Sequence, residues 1–363
     1  MNCCAWIPLR GRWLPALAWL LTAVIAAACA GKPTLTEASA VPDSALTAAA
    51  DLPPADEAMP GADLLLTGPD KPRCANYAEP KVMGTVTDAE LTELSGIAAS
   101  SRHPGVLWVL NDGGNKPRLY ALDGQGKWLA TYKLKDVPSD DWEAVGLGPC
   151  SQDAVAAGSP CLYVADTGDN ALTRKLSHIL RMAEPKQIPG PGEDRSKGVD
   201  ADQVEVFPFH FPDGPQDVEA MAVLADGRVL LFNKRDDGQS TVYRLTLTPG
   251  AVAVAEKLGT LMVRDRPLVS GLSLRVTAAD LTPDGRWLLL KTYFRLFLFD
   301  LGTTLADPAE AADAALSTAV PSLLPLGFEN QGESVTWDPA GGYWHVSEGT
   351  GSSLFRVDCK SAP

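Results

Sequence analysis

Leu94-Ser95-Gly96-Ile97, Trp142-Glu143-Ala144-Val145, Val218-Glu219-Ala220-Met221, Ala278-Ala279-Asp280-Leu281 and Gly332-Glu333-Ser334-Val335 are versions of one short segment, a small or acidic residue beside alternating apolar positions. A turn follows, at 101–105, Ala225-Asp226-Gly227, Pro283-Asp284-Gly285 or 339–342. Next come a more apolar stretch (106–110, 162–165, 228–232, 287–290, 343–346) and a third (118–122, 178–181, 241–245, 296–299, 354–357). Fourth stretches are legible at 128–134, 204–209 and 251–258. Short runs of Val, Leu, Phe, Tyr and Trp split by Asp-Gly and Pro turns are antiparallel meanders. A four-stranded meander repeated radially is an all-β propeller, which leaves only short, protected sheet edges. Five repeats predict five blades. The wide spacing from Ala144 to Ala220 keeps six open, although the polar, Gly- and Pro-rich stretch 186–202 within it reads as a loop. The last repeat lacks a fourth strand and a spare one, 81–86, precedes the first, so pairing the two would close the ring. In 302–320, Asp307-Pro308 before an Ala-rich run predicts a short capped helix in a loop.

Outward from the repeats, the chain reads as three parts: 1–28, 29–73 and 74–363. Arg10 and Arg12 precede an apolar run ending in Ala26-Ala27-Ala28-Cys29, the order of a secretory signal. That run is short for a bilayer and carries Pro15. A cysteine directly after the small residues resembles the lipobox of bacterial lipoproteins. The resemblance implies lipidation of Cys29, anchoring through acyl chains and, with Ala30 rather than Asp following, the outer membrane. Ala26 departs from the leucine commonest there. Residues 30–72, rich in Ala, Pro, Thr and Asp, read as a disordered linker. Cys3 and Cys4 leave with the signal and Cys29 is lipidated, so Cys74, Cys150, Cys161 and Cys359 remain, an even set suited to an oxidising compartment. Of the possible pairings, we expect Cys150 with Cys161 across a local loop and Cys74 with Cys359 at the ring closure. No CxxC occurs and His103, His178, His210 and His345 lie far apart, which argues against zinc.

The formal charge of −14 is repelled by nucleic acid and by anionic lipid, so the membrane is met through the anchor alone and nucleic acid is no partner. A monomer is expected. The SGI and EAI-type strand starts, Ser95-Gly96-Ile97, Asp141-Trp142-Glu143-Ala144 and Asp217-Val218-Glu219-Ala220, resemble those of secreted bacterial propellers of the SdiA-regulated, NHL-like and esterase-like phytase families. The resemblance implies the fold across 74–363. For function it implies little, because one fold hosts many activities.

In a propeller blade the first strand starts, and the second ends, on one face. That gathers Glu93, Asp141, Glu143, Asp217, Glu219, Asp280 and Glu333 with Asn111, Asp112, Asp166, Asp169, Asn170, Asn233, Lys234, Lys291, Thr292, Tyr293 and Glu348 around one channel mouth. Three readings compete. A hard cation such as Ca²⁺ would use Asp166, Asp169 and Glu143, since Asp166-Thr167-Gly168-Asp169-Asn170 is rich in oxygen donors, though it lacks the spacing of an EF-hand. A catalytic reading pairs Glu143 with Glu219 as acid and base, in metal-assisted hydrolysis of the phytase-like or lactonase-like type. The favoured reading is a binding module, in which Asn111, Asp112, Trp142, Glu143, Asp166, Glu219, Lys234, Tyr293, Glu333 and Glu348 hold a small polar ligand or an envelope protein. The plainest alternative is a structural envelope lipoprotein whose acidic residues cap backbone N–H groups. Trp108, Trp128, Trp287 and Trp344 fall on alternating positions and read as blade packing, and Asp123-Gly124 and Asp226-Gly227 as turns.

Overall fold

The computed structural model describes residues 74, 76–150, 159–190, 193–200, 203–263, 271–302 and 304–360. The expected signal peptide, Cys29 and the linker lie outside them. Five antiparallel sheets form five blades. From the channel outward, blade 1 is Leu94–Ala99, Val106–Asn111, Arg118–Asp123 and Trp128–Leu134. Blade 2 is Trp142–Pro149, Pro160–Asp166, Ser177–Ala183 and Glu205–His210, and blade 3 is Val218–Val223, Val229–Asn233, Gln239–Leu245 and Glu256–Met262. Blade 4 is Val276–Leu281, Trp287–Thr292, Leu296–Asp300 and Ser322–Leu323. Blade 5 is Gly332–Trp337, Tyr343–Ser347 and Ser353–Val357, completed by the N-terminal strand Lys81–Thr85 in antiparallel register. Each inner strand packs against the inner strands on both sides, so the ring is closed.

The closure is locked as the sequence suggests. Cys74 and Cys359 form a disulfide with Cα atoms 5.2 Å apart, beside a bridge between Tyr77 and Cys359. Cys150 and Cys161 form the second, with Cα atoms 4.9 Å apart.

Period-two alternation explains the core. Leu288 and Leu290 pack toward blade 3, in one cluster with Leu230, Phe232 and Val242. Leu289, between them in sequence, packs toward blade 5 with Val335 and Tyr343. The same alternation builds a buried cluster at each of the other blade junctions. Burying one such Leu contributes about 1.5–3 kcal/mol. Trp108, Trp287 and Trp344 are buried in these clusters and Trp128 packs against one.

Three expectations need correcting. The stretch read as a loop at 186–202 contains a strand, Ser196–Val199, added in parallel to the outer edge of blade 1. The run 251–258 is not one strand: Ala253–Val254 pairs in parallel with the edge of blade 2 before the outer strand of blade 3 begins at Glu256. The helix, Ala309–Thr318, has Pro308 at its N-cap without a side-chain cap, so Asp307 does not cap it; it buries Ala312 and Leu316 against the outer strand of blade 3. These three segments share one topology, each reaching from one blade to cover the edge of the preceding one.

Candidate functional site at the channel mouth

In all five inner strands the pairing register slips at the same place, at Ser95, Glu143, Glu219, Thr277 and Glu333. Such a bulge leaves one residue unpaired in the ladder and re-aims its side chain. Four blades add the same backbone device. The residue after the second strand donates its N–H to the carbonyl before the first: Asp112 to Glu93 (2.7 Å), Thr167 to Asp141 (3.0 Å), Lys234 to Asp217 (2.8 Å) and Glu348 to Gln331 (2.9 Å). In blade 4 the positions are held by Arg275, Thr277 and Tyr293, and the Tyr293 carbonyl instead accepts the N–H of Gly332 in blade 5 (3.1 Å). One backbone frame, filled differently in each blade, therefore surrounds the mouth with Glu93, Asp112, Asp141, Glu143, Asp217, Glu219, Glu333 and Glu348 against Lys234 and Arg275.

The hydroxyls of this frame stitch blades together. Ser95 Oγ donates to the Glu143 carbonyl (2.8 Å) and carboxylate (3.3 Å), Thr167 Oγ1 to the Val218 carbonyl (2.8 Å), and Thr277 Oγ1 to the Gly332 carbonyl (2.7 Å). A small cavity lies between the inner strands of blades 1, 2, 4 and 5, lined by Ser95, Gly96, Ala144, Ala278, Glu333 and Ser334 among others.

The carboxyls are crowded and largely removed from water. Burial, with the charges of Glu219 and Asp112, raises Glu143 well above the ordinary carboxyl range. Burial pushes Glu219 up to about 7 although Lys234 ion-pairs with it. Burial also carries Glu333 to about 8, assisted by Glu348 and Glu219 against the hydrogen bond from Gln331. Asp141 is pushed up to about 6 by burial and by Asp112, and burial raises Asp112 and Glu348 as well. Burial works against the charge of Lys234, but Glu219 and Asp217, the latter at 3.7 Å, outweigh it and hold the ammonium above its usual range. Tyr293 is buried within reach of Lys234 and Glu219.

Backbone capping accounts for some expected site residues and not for others. Asp166 Oδ1 accepts the Asp141 N–H (2.7 Å) and its other oxygen takes Arg174 (3.0 Å) and His178 (3.1 Å). Burial opposes its charge, but these partners bring Asp166 below its ordinary value. Asp169 holds the Thr173 and Arg174 N–H groups (2.9 and 2.8 Å), and Asp217 Oδ1 accepts from the Asp169 N–H (2.9 Å). Asn111 accepts the Glu93 N–H (3.4 Å), and Asn233 that of Thr241 (2.7 Å). Glu143, Glu219 and Glu333 are different: among the described residues their carboxylates accept only from side chains.

The structure does not bring Asp166, Asp169 and Glu143 together as a metal set. The carboxylates that converge are Asp112, Asp141 and Glu143, each offering an oxygen within 4.8 Å of the others. Trp142 is buried between blades 1 and 2, its indole N–H on the Pro138 carbonyl (2.9 Å), and lines a small pocket with Asn111 and Asp112. Asp280 lies at the far end of its strand, accepting from the Trp337 N–H (2.8 Å) and the Thr336 hydroxyl (2.9 Å), because the blade 4 strand starts at Val276 and places Thr277 where the other blades have Glu or Ser. Lys291 is fully buried and paired with Glu329, whose other oxygen meets His345 Nδ1 at 3.0 Å. Gly327 N–H points at His345 Nε2 (3.4 Å), so Nδ1 carries the proton that Glu329 accepts. Lys291, expected at the channel mouth, is instead held in this buried network, and Glu329 and His345 had no part in the expected site.

No family model and no curated protein sequence matches the chain, so the named propeller families rest on their short motifs alone. Solved structures similar to it include the PQQ-bound aldose sugar dehydrogenase of Streptomyces coelicolor, at 13% identity and TM-score 0.42, covering 78% of this chain and 98% of that one. The apo-form of the soluble aldose sugar dehydrogenase of Escherichia coli matches at 11% identity and TM-score 0.39, covering 78% and 100%. No helix among the described residues is long and apolar enough to cross a membrane.

Proposed function

We propose that the chain is a lipid-anchored, extracytoplasmic binding module whose channel mouth takes a small polar ligand carrying positive charge. The observation that carries this reading is the shared register: a frame repeated in every blade presents Glu143, Glu219 and Glu333 inward without using them to cap backbone. Buried carboxyls that repel one another cost stability, and a cationic group seated among them would relieve that cost. Tyr293 and Lys234 give the rim an aromatic and a donor face for the ligand's polar end. The sequence around Cys29 supports the anchor, and the two disulfides suit an oxidising compartment.

The test is a thermal-shift screen of the full chain against small amines, amino acids, sugars and phosphate esters, repeated on Glu219→Gln. At least one cationic compound should raise the wild-type melting temperature and leave the variant's unchanged; equal shifts in both would defeat the reading. A second reading, metal-assisted hydrolysis, draws on the approach of Asp112, Asp141 and Glu143. It requires turnover of a phosphate ester, lactone or carboxyl ester that EDTA abolishes.

A further inference from the structure

We propose that Ala62-Asp63-Leu64-Leu65-Leu66-Thr67, in the chain ahead of Cys74, docks as an added strand on the outer edge of blade 4. The covering segments of the first three blades follow one rule: each immediately precedes the outer strand of the next blade. Ser196–Val199 precedes the outer strand of blade 2 and covers blade 1, and Ala253–Val254 precedes that of blade 3 and covers blade 2. The helix Ala309–Thr318 precedes that of blade 4 and covers blade 3. The outer strand of blade 5 is Lys81–Thr85, so the chain ahead of it is the segment that falls to blade 4.

Blade 4 has an edge that needs a cover. Its outer strand is only Ser322–Leu323, and among the described residues no strand lies beyond it. Leu324 donates its N–H to the Leu296 carbonyl (2.9 Å), so the alternation of a strand turns the Leu323 N–H away from the blade. An open edge of this kind takes up a further strand. The stretch running through it exposes Val320 (83%) and Phe328 (87%), the two most exposed large apolar side chains among the described residues, with Leu323 at 55%.

The chain is already delivered to this place. Tyr77 packs in one cluster with Leu324 and Leu326, which follow the edge strand, and Cys74 is fixed beside it by the ring-closing disulfide. Residues 62–67 lie outside the described residues, but their sequence suits the edge. Leu64-Leu65-Leu66 is the only run of adjacent large apolar residues between Cys29 and Cys74, and Pro60-Gly61 and Gly68-Pro69 bracket it. A short apolar run between turn signals is a strand pattern. Residues 67–73 span up to about 25 Å when extended, more than the length of a typical strand of about 17–20 Å, so the chain can run up the edge and return to Cys74. With the run docked, the linker from Cys29 ends at residue 61 and leaves the domain from the side of blade 4.

The experiment is hydrogen exchange, read by mass spectrometry, on the purified full chain, with its molar mass measured by light scattering. The amides of 63–67 and of Leu323 should exchange about ten-fold or more slowly than in an unstructured chain. The triple variant Leu64→Asp, Leu65→Asp, Leu66→Asp should bring both back to the unstructured rate, and Leu323→Asp alone should do so for 63–67. Circular dichroism and melting establish that each variant is folded. Unstructured rates across 63–67 in the wild type, or slow exchange there that survives Leu323→Asp in folded protein, would overturn the proposal. A dimer that protects Leu323 while 63–67 exchange fast would make a second copy of the chain the occupant, and would overturn it too.

Discussion

Replacing Glu333 with Gln should remove a pH-dependent penalty that the wild-type protein carries at its channel mouth. Glu333 is pushed from 4.5 to about 8 in the folded protein, chiefly by burial. A carboxyl raised on folding binds its proton more tightly in the native state, so stability is highest below about 4.5 and falls as pH rises through the window up to about 8. At about 1.4 kcal/mol per pH unit, the full window corresponds to roughly 5 kcal/mol, of which roughly 3 is already lost at pH 7. Gln keeps the shape and the hydrogen bond to Gln331 (2.9 Å in the wild type) without the titration. Urea unfolding of both proteins in EGTA, between pH 4.5 and 8.5, should therefore show the variant gaining on the wild type by about 2–5 kcal/mol as pH rises. A stability difference that stays constant across that range would show that folding does not raise the Glu333 carboxyl.

The ring-closing disulfide spans 285 residues and the local one 11. In the chain-entropy model they contribute about 5.6 and about 3 kcal/mol, so Cys74→Ser should lower the denaturation midpoint more than Cys150→Ser does. Lys291→Met leaves Glu329 buried beside His345 without its ammonium and should cost about 3–5 kcal/mol by chemical denaturation. Lys291→Met with Glu329→Leu should cost less than the sum of the single changes, and strict additivity would show that the two do not act as a pair. Glu184 accepts hydrogen bonds from Ser101 (3.0 Å) and Trp108 (2.8 Å) in the core, so Glu184→Leu should destabilise by about 1–3 kcal/mol, read from the same urea curves.

The blades were legible because inner and middle strands bury both faces, which forces apolar alternation and sharp turns into the sequence. Two short edge strands were not. Ser196–Val199 and Ser322–Leu323 join their sheets through backbone pairing, leaving little side-chain pattern to read. At the mouth, Glu143, Glu219 and Glu333 were found because an acidic residue recurs at one position of the repeat. Blade 4 broke that signal with Thr277, and Asp280, three residues on, was taken in its place. The burial of Trp142 beside Glu143 could not be read for a related reason: alternation cannot show which of two neighbours a bulge sends into the core and which to the channel. The carboxylate group around Asp141 needed the fold, since Asp112 and Glu143 belong to different blades and meet only when blades 1 and 2 pack side by side.

The central claim, that the acidic mouth is the binding face, is tested most directly by a crystal structure of the full chain. The crystals would be soaked with the compound that most raises its melting temperature. Density for that compound is expected among Asp112, Glu143, Glu219 and Glu333. Density confined to the opposite face or to the outer edges of the blades would contradict that claim.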